Sequence, residues 1–459
     1  MASCDELADA QRPGTPRRKN NIEQETEKFN GDGDIMKKHT IRNMKTTLPA
    51  IIALFSLSVL GQGSEKIIKD GTRLAIAGDS ITEQKQYSKF IETYLTACAA
   101  VKEISVIQLG WGGETAGGFA DRIENDLLPW RPTVVTTCYG MNDGQYKKYD
   151  ESIGRTYESN MCRIVSFLKE KGIAVVVGGP GVVDSYTFTR ADGYNQTLAR
   201  LSDIAGNVAT RYDCPFADVH HAMLSAMEKA KAAYGMEYHV GGAPRDGVHP
   251  YPNGQLVMAY AFLKAMQMNG SIGVITIDWN KQASATEGHK VLSFTNGTVE
   301  IESVRYPFCF SGDGKTPENA SSILPFVPFQ QDLNRLMLVV RSLPAGEYDV
   351  KWGQKQQSFS SEQLTSGINL AAEFIENPFQ STFHKVMEQV AVKQAFETKM
   401  IKGIVANTRL LKQEFKGDDD FSRLMEALIN KMMIRQKEYN DKVSTAVVPL
   451  RHTVSIIPK

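Results

Sequence analysis

The sequence predicts a three-layer α/β/α domain on a doubly wound parallel sheet over residues 69–270, then an accessory antiparallel β module over 271–370 and a helical region over 371–459. Two observations carry this prediction. From Lys69 to about Gly270, short β-branched runs alternate strictly with longer segments of helical apolar period. Such alternation needs crossover connections, and therefore parallel strands covered on both faces. Past Gly270 the texture changes to short runs broken by turn residues, and then to amphipathic helical segments.

The N-terminal residues stand apart from this pattern. Met1 to Asn43 is polar and mixed in charge, with no period that could bury a face, and is expected to be disordered or a non-native extension. Residues 44–63 read as a signal peptide. Met44-Lys45-Thr46-Thr47 opens the segment, Leu48 to Leu60 is its apolar core, and Val59 and Gly61 frame a cleavage point before Gln62-Gly63-Ser64. On this reading Met44 is the true start and the mature protein is secreted or periplasmic. The apolar run is short for a bilayer crossing, which wants about 20 residues; a buried helix and a membrane anchor are the alternatives.

Five runs read as buried strands: Arg73 to Ala77, Ile104 to Leu109, Thr133 to Tyr139, Ile173 to Val177 and Pro215 to Val219. Helical periodicity falls near Tyr87 to Ala100, Gly117 to Leu128, Arg155 to Lys171, Tyr194 to Tyr212 and Asn253 to Met268. In the β module, runs at Ile275 to Trp279, Lys290 to Phe294, Thr298 to Val304, Arg335 to Arg341, Glu347 to Trp352 and Gln357 to Ser360 are separated by Asn296-Gly297 and Pro344-Ala345-Gly346 turns. The last region is helical to Lys442, and the apolar, β-prone tail Val447 to Pro458 is expected to pack back on the body.

Composition bounds the function. With 42 % hydrophobic and 23 % charged residues the chain is an ordinary globular protein rather than a disordered or collagenous one. Lys+Arg and Asp+Glu both number 52, so nothing in the net charge points to nucleic acid or an anionic membrane. A small or neutral molecule is the expected partner on this ground, and oligomeric state is left open. The six cysteines include no CxxC pair; the five beyond Cys4 are an odd set, so at least one thiol is unpaired within a monomer, and small apolar core residues are the better reading.

The unusual residues all follow strand ends, where ligands bind in open α/β sheets. Gly78-Asp79-Ser80-Ile81-Thr82 puts a serine on a tight turn at a helix start, a sequence that alone would also suit a helix cap. Gly110-Trp111-Gly112-Gly113-Glu114-Thr115 lets backbone amides approach a ligand without side-chain obstruction. Gly140-Met141-Asn142-Asp143 offers a side-chain amide. Asp246-Gly247-Val248-His249-Pro250 sets a carboxylate and an imidazole three residues apart, so that Asp246 can orient one ring nitrogen while His249 offers the other to a hydroxyl.

These four blocks, in this order, resemble the SGNH hydrolase superfamily of GDSL esterases and lipases, with the likeness running from about Arg73 to Met268. The resemblance implies Ser80 as nucleophile and oxyanion donor, Gly113 as backbone donor, Asn142 as side-chain donor, and Asp246 with His249 as orienter and base. It implies an acyl-enzyme route with no metal or other cofactor, active at neutral to mildly alkaline pH. Two departures are Glu114, where the family's block has Asp, and Gln108, where many members have Asn. No Gly-x-Ser-x-Gly elbow occurs, against the unrelated α/β-hydrolase solution. The overall organisation resembles larger secreted bacterial members with an extra C-terminal part, many of them taken to act on carbohydrate esters.

The expected function is therefore a secreted carbohydrate (acetyl) esterase, with Trp111, Tyr139 and Tyr146 beside the loops to contact sugar rings. A lipase or lysophospholipase and an inactive glycan-binding protein on the same fold are the rivals. Other features rank lower. His220 and His221 read as helix-start residues rather than metal ligands, Gly110 to Gly118 fits no phosphate loop, and Asp418-Asp419-Asp420 lacks the alternation of a calcium loop.

Overall fold

The computed structural model describes residues 66–190, 192–312 and 314–459. The N-terminal extension, the signal segment and Cys4 lie outside the described residues.

Strands β1 (Arg73–Gly78), β2 (Ser105–Gln108), β3 (Val134–Cys138), β4 (Ala174–Gly178) and β5 (Phe216–Ala217) form one parallel sheet in the order β2-β1-β3-β4-β5. That order places a topological switch point between β1 and β3, where a crevice opens beyond the strand C-termini. After β1 come α1 (Ser80–Glu83) and α2 (Tyr87–Thr93); after β2, α3 (Ala116–Ala120); after β3, α4 (Glu151–Glu170). Helix α5 (Tyr194–Arg211) follows β4, and α6 (Val219–Tyr234) and α7 (Pro252–Ala265) follow β5. Helices α3, α4 and α5 pack on one another, and α2, α6 and α7 do the same, giving two helical layers around the sheet. The five parallel strands and their three-layer cover agree with the fold class read from the sequence.

Helix α6 begins where His220 and His221 are expected to start a helix, but its length does not show in the apolar periodicity. Its buried residues are Val219, His220, Met223, Ala226, Met227 and Ala230, a stripe whose alanines and histidine do not stand out from the polar residues around it. Asp218 caps it by accepting the His221 amide at 3.1 Å, so the two histidines do open a helix. Helix α7 is different again, with ten of its fourteen residues buried, because the chain after Gly270 covers the side that would otherwise face water.

The β region holds two sheets. The first runs β13-β10-β6-β7, with β6 (Ser271–Asp278), β7 (Gln282–Ala285), β10 (Arg335–Arg341) and β13 (Ile368–Asn369). Here β6 and β10 are parallel, which corrects the expectation of a wholly antiparallel module. Polarity is set by the chain path between the two strands and leaves no mark on their residues. The second sheet, β12-β11-β14-β9-β8, is antiparallel throughout and contains β8 (His289–Thr295), β9 (Thr298–Ser303), β11 (Glu347–Trp352) and β12 (Lys355–Ser360). The C-terminal tail is its central strand, β14 (Leu450–Pro458).

Helices α8 (Gln380–Met400) and α10 (Asp419–Thr445), with α9 (Ala406–Glu414) between them in sequence, close the free edge of β2. The Gln108 amide donates to Glu397 Oε2 at 3.0 Å, and the Val106 carbonyl accepts from Lys393 Nζ at 2.7 Å and Gln436 Nε2 at 3.0 Å. Side chains here do what a sixth strand would do for an unpaired edge. Lys393 also lies 3.0 Å from Glu92 and 2.7 Å from Glu397, and all three charged groups are buried. Burial pushes the Glu92 carboxyl up to about 7, against the pull of Lys393.

Candidate active site

The site is assembled at the C-terminal ends of β1, β2 and β3, with one further loop before α7. Ser80 is the first residue of α1, which Asp79 caps through a 2.9 Å bond from the Ile81 amide. Gly110 is needed just behind: a β-carbon there would stand 2.3 Å from the Glu83 nitrogen, so the β2 loop can lie against the serine helix only without a side chain. His249 Nε2 lies 2.8 Å from Ser80 Oγ, and His249 Nδ1 lies 2.7 Å from Asp246 Oδ2. Asp246 Oδ1 accepts the Val248 and His249 amides at 2.9 and 3.0 Å. Partial burial would raise this carboxyl, but those two amides and the His249 ring outweigh it and hold Asp246 below the usual carboxylate range. A hydroxyl, an imidazole and a carboxylate thus form one hydrogen-bonded chain.

The loop after β2 is a tight turn. Trp111 donates to the Gly78 carbonyl at 2.9 Å and Glu114 donates to the Trp111 carbonyl at 3.1 Å. Gly113 has φ +75°, the third-position signature of a type II turn. The Gly112 amide donates to Glu83 Oε2 at 2.5 Å. Within this turn, and among the described residues, the Gly113 amide is left without a protein acceptor, and so is the Ser80 amide at the start of α1. Asn142 reaches the same place: its Nδ2 donates to the Glu114 carbonyl at 2.9 Å, which leaves the second N–H of that amide uncommitted. Its orientation is fixed by Tyr146, whose hydroxyl donates to Asn142 Oδ1 at 3.0 Å.

Under the site lie three buried carboxyl groups. Burial pushes Asp79 up to about 7, with the Asp143 and Glu114 charges adding to it and the Ile81 amide opposing. Asp143, pushed up by burial to about 6, accepts the Ala116 and Gly140 amides at 3.0 Å each and ties the second loop to the third. Glu114 is gripped by Arg122 through bonds of 2.6 and 2.7 Å.

The aromatic residues divide. Tyr139 is fully buried, its ring stacked on Phe119 with 5.4 Å between centroids and its hydroxyl donating to Glu114 at 2.8 Å. It has no face to offer a substrate, which corrects the sequence expectation; the strand simply ends deeper than its residue pattern reveals. Trp111 is half-buried, with Lys402 Nζ 4.9 Å and the Arg122 guanidinium 5.2 Å from its ring centroid. Tyr146 is half-buried and stacks on Tyr194 at 5.3 Å. Beside Gly113 a cleft of about 330 Å³ is lined by Trp111, Thr115, Ala406 and Arg409 among others.

Three contributors were missed from sequence. Tyr146 was read only as a surface for sugar, whereas its hydroxyl orients Asn142. Asp143 reads from sequence only as a loop cap beside Asn142, and Glu83 at the end of α1 is not singled out. For Asp143 the local Gly-x-x-Asp spacing is a usable signal, since a carboxylate can accept the amide three residues before it. Glu83 has no such signal, because its partners lie far along the chain.

Residues 76–257 match the model of the GDSL-like Lipase/Acylhydrolase family, a span that runs from β1 into α7 and contains Ser80, Gly113, Asn142, Asp246 and His249. No curated protein sequence matches the chain. Among solved structures, a gut microbial diltiazem-metabolizing enzyme is 22 % identical and superposes over 85 % of this chain and 98 % of its own, with a TM-score of 0.64. That likeness extends the shared fold well beyond the catalytic layer. An acetylxylan esterase from Geobacillus stearothermophilus is 21 % identical over 44 % of this chain and 96 % of its own (TM-score 0.37). An alpha/beta hydrolase from the metagenome of Lake Arreo is 22 % identical over 44 % of this chain and 98 % of its own (TM-score 0.36). Residues 76–257 are thus a GDSL-like lipase/acylhydrolase domain of the SGNH superfamily, and the protein that carries it is a hydrolase of ester bonds.

Proposed function

We propose that the protein is a secreted serine esterase that removes small acyl groups, acetyl in particular, from carbohydrates. The observation that carries the mechanism is the chain from Ser80 Oγ to His249 Nε2 at 2.8 Å and from His249 Nδ1 to Asp246 at 2.7 Å. On this reading His249 takes the Ser80 proton as the hydroxyl attacks the ester carbonyl. The tetrahedral oxyanion is received by the Ser80 and Gly113 amides and by Asn142 Nδ2, the three donors left uncommitted beside the serine. His249 then returns its proton to the leaving alkoxide, and water resolves the acyl enzyme by the same steps. Asp246, held ionised, keeps the ring oriented and stabilises the imidazolium.

The short acyl group and the sugar alcohol are supported by the cleft next to Gly113, whose lining offers an indole, a hydroxyl and a guanidinium rather than a long apolar channel. Secretion is supported by the basic start, apolar run and small-residue exit between Met44 and Ser64. N-terminal sequencing of protein from the native host should find a start between Gln62 and Ser64; an intact Met1 in the cytoplasmic fraction overturns secretion.

Ser80→Ala tests the mechanism. It should abolish both ester turnover and fluorophosphonate labelling while leaving the melting midpoint in place. Undiminished labelling of the variant would locate the nucleophile elsewhere. Initial rates over nitrophenyl esters of rising chain length, with acetylated polysaccharides beside them, test the substrate: preference for long acyl chains would replace this reading with a lipase.

A further inference from the structure

We infer that Lys402, on the C-terminal helices and outside the family-matched span, is a positioning residue for the oxyanion-binding turn; the inference rests on the esterase reading above. Glu83 closes α1, the helix that begins with Ser80. Its two carboxylate oxygens are used separately: Oε2 accepts the Gly112 amide at 2.5 Å, and Oε1 lies 2.8 Å from Lys402 Nζ. Lys402 sits in the π-helical turn Ile401–Val405 that joins α8 to α9, and its ammonium also stands 4.9 Å from the Trp111 ring centroid. The π-turn is itself anchored on the catalytic layer, since the Val405 carbonyl accepts Asn125 Nδ2 at 2.8 Å.

The physical need for this brace lies in the turn. Type I and type II turns differ by a flip of the central peptide, and here that peptide joins Gly112 to Gly113 and carries the Gly113 N–H. Both glycines are exposed and meet little steric resistance to such a flip. The turn is held at Trp111 by Gly78, at Glu114 by the Trp111 carbonyl and the Asn142 amide, and at Gly112 by Glu83 alone. Glu83 is about three-quarters buried and Lys402 about two-thirds, so their attraction is less screened than that of an open surface pair. Lys402 also gives Glu83 a fixed direction: with its other oxygen satisfied, the carboxylate stays on the Gly112 amide.

The test compares wild type, Lys402→Ala, Lys402→Arg and Glu83→Ala as full-length mature chains with nitrophenyl acetate, measuring kcat, KM, melting midpoint and inhibition by a boronic acid that forms a tetrahedral serine adduct. Lys402→Ala should lower kcat about tenfold with KM within twofold, and weaken the boronic acid by a similar factor, since only the tetrahedral species uses the turn amide fully. Glu83→Ala should lose at least as much, and Lys402→Arg should recover most of the loss. Hydrogen exchange at the Gly112 amide should quicken in Lys402→Ala. A kcat within twofold of wild type, or a rise in KM with kcat and boronic acid affinity unchanged, overturns the inference while leaving the esterase reading in place. A wild type that neither turns over esters nor reacts with fluorophosphonate overturns the esterase reading, and this inference with it.

Discussion

Two polar clusters of this molecule use similar residues to opposite ends. At the edge of β2, Glu92, Lys393 and Glu397 are buried together, and their hydrogen bonds run to one another, to Gln394 and Gln436 and to the strand. At the crevice, Ser80, His249 and Asp246 are only partly buried, and two backbone amides beside them have no protein acceptor among the described residues. Ionic groups that satisfy one another hold a structure; groups left with spare capacity in a fixed geometry are ready for a ligand. The difference between the clusters lies less in which residues are present than in which hydrogen bonds remain to be made.

That contrast can be broken by substitution. Ser80→Ala, described above, should give the largest change, all of it in turnover. Lys393→Ala should give the converse: a loss of about 3 to 5 kcal/mol in stability, because it leaves two buried carboxyl groups without the positive charge between them and takes one of two donors from the Val106 carbonyl. Chemical denaturation measures it, and kcat per folded molecule should stay near wild type. A collapse of kcat in molecules that remain folded would show that the edge cluster takes part in the site. Asn142→Ala comes next, with turnover falling by about 10² to 10³, or about 2.7 to 4 kcal/mol, and KM little changed. If it lowers the melting midpoint while kcat stays within threefold, Asn142 only braces its loop.

Asp79→Asn sharpens the comparison through pH. The Asp79 carboxyl is raised to about 7 by burial in the folded chain and titrates near 3.8 when unfolded, so the native state binds its proton more tightly. Folding stability due to this group therefore falls as pH rises from about 4 to about 7 and is level above that. Asparagine keeps an oxygen for the Ile81 amide and does not titrate. Its stability relative to wild type should grow by about 1.4 kcal/mol between pH 6 and pH 8, the worth of one pKa unit. A difference that is constant with pH would mean that Asp79 is already charged in the native state.

What was legible in the sequence follows the range of each interaction. Strand and helix alternation is local, and so are the cap at Asp79, the glycines of 110–113 and the three-residue step from Asp246 to His249; these fix the layers and bring the blocks to strand ends. Tyr139 defeated the same reasoning, since a fully buried strand shows no alternation to tell which end residue opens to the crevice. The length of helix α6 is hidden by its alanines, and the parallel pairing of β6 with β10 by a path through more than fifty intervening residues. The grip of Lys402 on Glu83 spans 319 residues, and no local pattern in either segment encodes it.

The placement of β14 bears on how the chain reaches this state during synthesis. The strand sits at the centre of its sheet, between β9 and β11, and its partner β9 leaves the ribosome about 150 residues earlier. The parallel sheet and its helices can condense while translation continues, because their contacts are comparatively near in sequence. The antiparallel sheet must wait for the last strand, and through that interval β2 presents an unpaired edge that α8 and α10 have yet to cover. The antiparallel sheet therefore closes only once β14 has emerged, and the nascent chain is most prone to associate with its neighbours in the interval before β14 and the covering helices are in place.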